Sequence, residues 1–102
     1  MQEFVYEAER HALEFPTVET CGLVVHGKYY RCRNISPDPS ENFILQPKDY
    51  LKAALKGSIE YVVHSHPKGG EASAEDHKAC GCMKIPWYIY LVPQKQWISI
   101  NP

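Results

Sequence analysis

The stretch Val62-Val63-His64-Ser65-His66-Pro67-Lys68-Gly69-Gly70 constrains this chain more than any other. In a strand, side chains two apart share a face, so His64 and His66 project together while Ser65 faces away. Pro67 has no N–H with which to continue a central strand, and Lys68-Gly69-Gly70 permits a tight turn. The spacing therefore predicts two imidazoles side by side at the carboxyl end of a strand, open on one side. Ser73 and Asp76 follow three positions apart just downstream. Two readings compete for each feature. A His-x-His pair at a strand end is either a surface pair or the start of a metal site. Ser73-x-x-Asp76 is either a helix-capping box alone or a cap that also returns a carboxylate to the strand end. Two histidine nitrogens and one carboxylate oxygen leave a fourth position for water, the composition of a catalytic rather than a structural zinc site.

Around this segment the chain reads as a single domain, 1–102, since 102 residues suffice for one core. Glu3–Phe15 carries Phe4, Val5, Ala8, Ala12 and Leu13 near helical spacing. Thr20–Val25 and Tyr29–Ile35 form a hairpin about His26-Gly27-Lys28, and Ser36–Asn42 is a loop with a brief strand, Phe43–Leu45, after it. Pro47 opens a second helix that Gly57 ends. Ile59–His64 is a strand, Ser73 to about Cys80 a short third helix, Trp87–Val92 a strand expected to be central, and Gln96–Ile100 a last alternating strand.

The formal net charge is −1, with signs interspersed, so no basic surface for nucleic acid is expected. No apolar run approaches the roughly 20 residues of a membrane span and the amino terminus lacks a signal pattern, so a soluble, cytoplasmic protein is expected. Four cysteines are too few for a disulfide scaffold. Cys80 and Cys82 could instead supply thiolates to a metal, the rival reading being that they are small buried hydrophobes, as expected for Cys21 and Cys32 in the hairpin. Trp87, Tyr88 and Tyr90 read as core.

Glu19 in Glu19-Thr20-Cys21-Gly22, then His64-Ser65-His66-Pro67, then Ser73-Ala74-Glu75-Asp76 resemble the signature of the JAB/MPN (JAMM) zinc metalloprotease family. More narrowly, ETCGLVV, CRNISPDPSENFILQPKDY, VVHSHPKGG and IPWYIYLV look like the amino-terminal domain of tail assembly proteins from lambda-like tailed phages. Six residues, Pro67–Ala72, separate His66 from Ser73, one fewer than the family spacing. The shorter path reads as a loop deletion taken up by Gly69-Gly70, with Glu75 and His77 as substitutes for Asp76. The resemblance implies an α/β, JAB/MPN-like (cytidine-deaminase-like) fold, a mixed curved sheet flanked by helices. It implies Zn2+ held by His64, His66 and Asp76, with Glu19 as general base and Ser73 as hydrogen-bond donor to a developing oxyanion. The activity implied is that of a peptidase or isopeptidase acting on a ubiquitin-like or phage tail protein. The alternative is a catalytically inactive MPN-type binding or assembly module of a phage tail.

Overall fold

The computed structural model describes residues 3–102. The elements in order are α1 (Glu3–Glu14), β1 (Cys21–Val25), β2 (Lys28–Cys32), α2 (Pro47–Ala54), β3 (Tyr61–His66), α3 (Ala74–Met83), β4 (Trp87–Leu91) and β5 (Gln96–Ile100). The strands form one sheet in the order β2-β1-β3-β4-β5. β3 and β4 are parallel and the other pairings antiparallel, so the sheet is mixed, as expected. A parallel pair needs a crossover, and α3 supplies it. The centre of the sheet is β3, not β4: Cys21 lies opposite His64 on one side and Ile89 on the other. The histidine strand is thus clamped by ladders on both edges.

Alternation sorts the core into two layers. Leu23, Val25, Val62 and Ile89 pack with Ala53 of α2 and Cys80 of α3, whereas Val24 and Val63 pack with Phe4 and Ala8 of α1. One helix therefore covers one face and two cover the other. The period-2 rule puts His64 and His66 on the face of α2 and α3, and Ser65 on that of α1.

α1 buries Phe4, Ala8, His11 and Ala12. Leu13, expected on this face, is 46% exposed, and His11 takes its place. Its Nδ1 lies 2.7 Å from the Tyr29 hydroxyl. Burial, with the nearby Arg31 charge, lowers the His11 pKa to about 4, so the ring is neutral at pH 7. The β1–β2 hairpin turns through His26 and Gly27, both at positive φ (50° and 76°), as a two-residue turn matched to strand twist requires. At Gly22 a Cβ would lie 2.3 Å from the Tyr29 ring, so glycine is what lets that ring pack across β1.

β2 stops at Cys32, short of the expected Ile35, and the expected strand Phe43–Leu45 reduces to one bridge between Asn34 and Leu45. The cause is the Asn34 side chain, which bonds the loop backbone from within and replaces a continued ladder. α2 begins at Pro47, with the Gln46 side chain accepting from Lys48 N. α3 runs to Met83, three residues past the expected end, with Ser73 as N-cap. No helix among the described residues is long and apolar enough to cross a membrane.

Candidate functional site

β3 ends at His66, and Gly69 N–H closes the following turn on the His66 carbonyl at 3.1 Å. α3 then starts directly above the strand end. A reciprocal capping box fixes its first turn: Ser73 Oγ accepts from Asp76 N at 3.0 Å, and Asp76 Oδ2 accepts from Ser73 N at 2.9 Å. The same carboxylate reaches down to both imidazoles. Asp76 Oδ1 lies 3.2 Å from His64 Nε2, and Oδ2 lies 3.1 Å from His66 Nε2. The two Nε2 atoms are 3.2 Å apart. The six-residue connection Pro67–Ala72 brings Asp76 over the histidines, while Glu75 and His77 are exposed.

These separations bear on a metal ion. Four ligands at about 2.0 Å from a tetrahedral zinc lie about 3.3 Å from one another. The separation of the two Nε2 atoms, 3.2 Å, is close to that edge length, and Asp76 meets each imidazole with a different carboxylate oxygen. The donor set, two imidazole nitrogens and a carboxylate oxygen, is also one that zinc accepts. The three residues that each bring one ligand atom within 4.8 Å of the others are Glu19, His64 and His66, a group that could hold a metal ion, with Asp76 bonded to both histidines beside it. The residues present fit the group that the sequence implies.

Burial shapes the charges. His64 is fully enclosed, and desolvation lowers its pKa. Burial also pushes His66 down, but the hydrogen bond and charge of Asp76, with Glu19 beside it, outweigh this and leave its pKa raised. Burial raises Asp76, yet the hydrogen bonds from His64 and His66 outweigh it and hold the carboxyl well below the usual range. Glu19 has no such partners. Burial lifts its pKa to about 8, with His66 opposing and Asp76 assisting.

A ligating histidine usually fixes its ring by donating from the other nitrogen. His64 Nδ1 is buried with no hydrogen-bond partner, and aromatic packing holds the ring instead. Phe43 stacks on it at 4.4 Å between centroids and Trp87 meets it edge-on at 5.3 Å. Trp87, expected only in the core, thus also borders the site.

Ser65, between the histidines, ties the site to Glu19 from the opposite face. Its Oγ accepts from Thr20 N at 2.8 Å and from Thr20 Oγ1 at 2.9 Å. Glu19 lies in the extended approach to β1, with its N–H on the Pro39 carbonyl at 2.7 Å. Ser65→Ala leaves a buried N–H and hydroxyl unpaired. The expected cost is about 2 kcal/mol, measured by urea denaturation of the metal-free chain.

Glu19, His66 and Asp76 line a cleft of about 490 Å3, with His64 buried behind them. Phe43–Leu45, Ala79 and Met83 of α3, and its N-cap Ser73 also line it. The thiols stand apart from it. Cys80 is buried in the core with Sγ donating to the Ile85 carbonyl at 3.3 Å, and Cys82 is exposed on the surface, so neither closes the site. Cys21 and Cys32 face each other across the hairpin as free thiols, and burial pushes Cys32 up to about 12. Asn34, Phe43 and Ser65 carry no chemistry of their own in the sequence. Only the position of Ser65, alternating between two candidate ligands, marked it in advance.

No family model matches the sequence. The chain is similar to the tail tip assembly protein K of Escherichia phage N15, at 38% identity over 96 residues. The match takes in 89% of this chain and 39% of that protein, so the chain spans well under half the length of the phage tail tip assembly protein that it resembles.

Proposed function

We propose that this chain is a zinc-dependent peptidase or isopeptidase of JAB/MPN type that acts on a protein during phage tail assembly. The observation that carries the reading is the convergence of His64, His66 and Asp76 at 3.1–3.2 Å, with the Glu19 carboxylate beside them in an open cleft. Asp76, nearer to the imidazoles, is the third ligand, and Glu19 stands next to the remaining position. A bound zinc supplies Lewis acidity, which lowers the pKa of water toward about 7 and polarises a carbonyl.

The chain's residues do the rest. Glu19 takes a proton from the attacking water and delivers it to the leaving amine, a task that needs a carboxylate within hydrogen-bond reach of the remaining position. Ser73 keeps its oxygen on Asp76 N, which leaves its hydroxyl hydrogen free to bond a developing oxyanion in the cleft. The walls from Phe43–Leu45 and from Ala79 and Met83 bind the substrate chain and exclude water. The resemblance to a tail tip assembly protein supports a tail protein as substrate, with a ubiquitin-like protein as the family alternative.

A second reading has one observation in its favour: the relative is named for assembly. On it, the domain is an inactive binding module. Zinc content and cleavage separate the two. The purified protein is expected to hold about one zinc per chain by elemental analysis. The zinc-loaded protein is expected to generate new amino termini in a peptide library read by mass spectrometry. A protein that takes up zinc but cuts nothing is the assembly module. One that takes up no zinc refutes the centre itself.

A further inference from the structure

The loop between β2 and α2 does two things at once. Its Pro39 carbonyl receives the Glu19 N–H, and its Phe43–Leu45 segment forms a cleft wall that stacks Phe43 on His64. Arg33 to Gln46 is a long connection with no helix or strand of its own, and such a connection needs an internal fastening to hold one shape.

Asn34 is that fastening. Its Nδ2 donates to the Glu19 carbonyl at 2.9 Å and to the Asn42 carbonyl at 3.1 Å. Its Oδ1 accepts from Ser36 N at 2.9 Å and from Ile44 N at 3.1 Å. Both donors and both acceptor positions of the carboxamide are used. Only one orientation of the amide satisfies two carbonyls on one side and two N–H groups on the other, so the residue type and its flip are both dictated. An aspartate would set an anionic oxygen against two carbonyls, and an aliphatic side chain would leave four backbone groups without partners.

We infer that Asn34 is a positioning residue, whose carboxamide holds the Glu19 backbone and the Asn42–Leu45 wall in one arrangement and so sets the Glu19 carboxylate against the histidine pair. The inference rests on the hydrolase reading of the site. Glu19 is gripped on either side, through its N–H by Pro39 and through its carbonyl by Asn34, and its carboxylate is only two methylenes from that backbone. A displacement of about 1 Å in a catalytic group costs on the order of 100-fold in rate. Asn34 touches neither His64, His66 nor Asp76, so metal binding does not depend on it directly.

The test uses Asn34→Leu and the isosteric Asn34→Asp in the full chain. Zinc affinity, measured by competition with a chromophoric chelator, is expected to fall far less than kcat, by about threefold at most, because no ligand is hydrogen-bonded to Asn34 and Trp87 still packs against the His64 ring. On a peptide that the parent cleaves, kcat is expected to fall roughly 10- to 100-fold, and the amides of Ser36 and Ile44 to lose hydrogen-exchange protection. Loss of zinc in step with kcat would overturn the inference, since it would make Asn34 a support of the whole fold. So would unchanged kcat with unchanged protection. A parent protein that binds zinc but cleaves nothing removes the hydrolase reading and, with it, the catalytic part of this role. A further measurement needs no variant: the Asn34 side-chain amide protons in the parent are expected to exchange slowly, and fast exchange of either overturns the inference.

Discussion

Asp76→Asn is expected to lower zinc affinity at least about 100-fold while leaving the chain folded. The substitution keeps the side chain's size and one carbonyl oxygen but removes the charge that faces both imidazoles, at 3.2 Å from His64 Nε2 and 3.1 Å from His66 Nε2. An amide turns its NH2 group toward His64 Nε2 or toward His66 Nε2 and Ser73 N, and that nitrogen offers a metal neither the charge nor the lone pair of the carboxylate oxygen it replaces. The effect divides into two measurements. Without metal, the carboxyl is held well below its usual pKa because the hydrogen bonds from His64 and His66 outweigh burial. A depressed carboxylate stabilises the fold above the unfolded pKa of about 4 and loses that contribution as pH falls below it. Asp76→Asn should therefore melt below the parent at pH 7, and the gap should narrow in acid. With metal, a ligand that binds only the folded state at about 1,000 times its Kd adds about 4 kcal/mol of stability. Added zinc should raise the parent's melting temperature markedly and the variant's far less, as differential scanning calorimetry would show. Equal zinc-induced shifts in the two proteins would remove Asp76 from the ligand set and leave Glu19, His64 and His66 as the remaining combination.

The parts of this molecule that period and punctuation govern were legible in the sequence. The period-2 pattern around Val62–His66 set both imidazoles on one face, Pro67 and the paired glycines ended the strand, and Ser73-x-x-Asp76 capped a helix. What was not legible depended on contacts between distant segments. The central position of β3 comes from partners on β1 and β4, and nothing local in Ile59–His66 distinguishes it from Trp87–Leu91, which is the more apolar run. Tyr29–Ile35 reads as one strand by composition, yet ends at Cys32 because the Asn34 carboxamide turns inward to the loop. His11 is polar and Leu13 apolar, but a hydroxyl from β2, Tyr29, makes burial of the histidine acceptable and leaves the leucine in solvent. The candidate site shows the same division. The types and order of Glu19, His64, His66, Ser73 and Asp76 are in the sequence, while the residues that aim them, Asn34, Phe43 and Ser65, act through a loop whose path no periodicity encodes.

Glu19→Gln should make the metal-free protein more stable and the zinc-loaded protein inactive. Glu19 is 7% exposed, and burial lifts its pKa to about 8 from 4.5. Between those two values the folded chain keeps a proton that the unfolded chain releases. The contribution of Glu19 to stability is therefore complete below about pH 4.5 and is lost as pH rises through 8. Glutamine fills the same space with no charge to bury, so the advantage of the variant should grow with pH across this window. The growth is at most about 1.4 kcal/mol per pH unit. Urea denaturation of the metal-free pair at pH 5 and pH 8 would show it as a small gap that widens. A cation at the histidines favours the carboxylate and should shrink the same gap once zinc is added. Cleavage moves the other way, because an amide cannot accept the proton of the attacking water, and loss of a general base costs roughly 100- to 10,000-fold. On the proposed ligand set, His64, His66 and Asp76, zinc content should be unchanged. If the variant loses its zinc together with its activity, Glu19 is a ligand. If it keeps both, the proton is carried by another group. Only stabilisation without metal, together with inactivity and retained zinc, fits a buried carboxylate kept near the metal position for its basicity at a cost in stability.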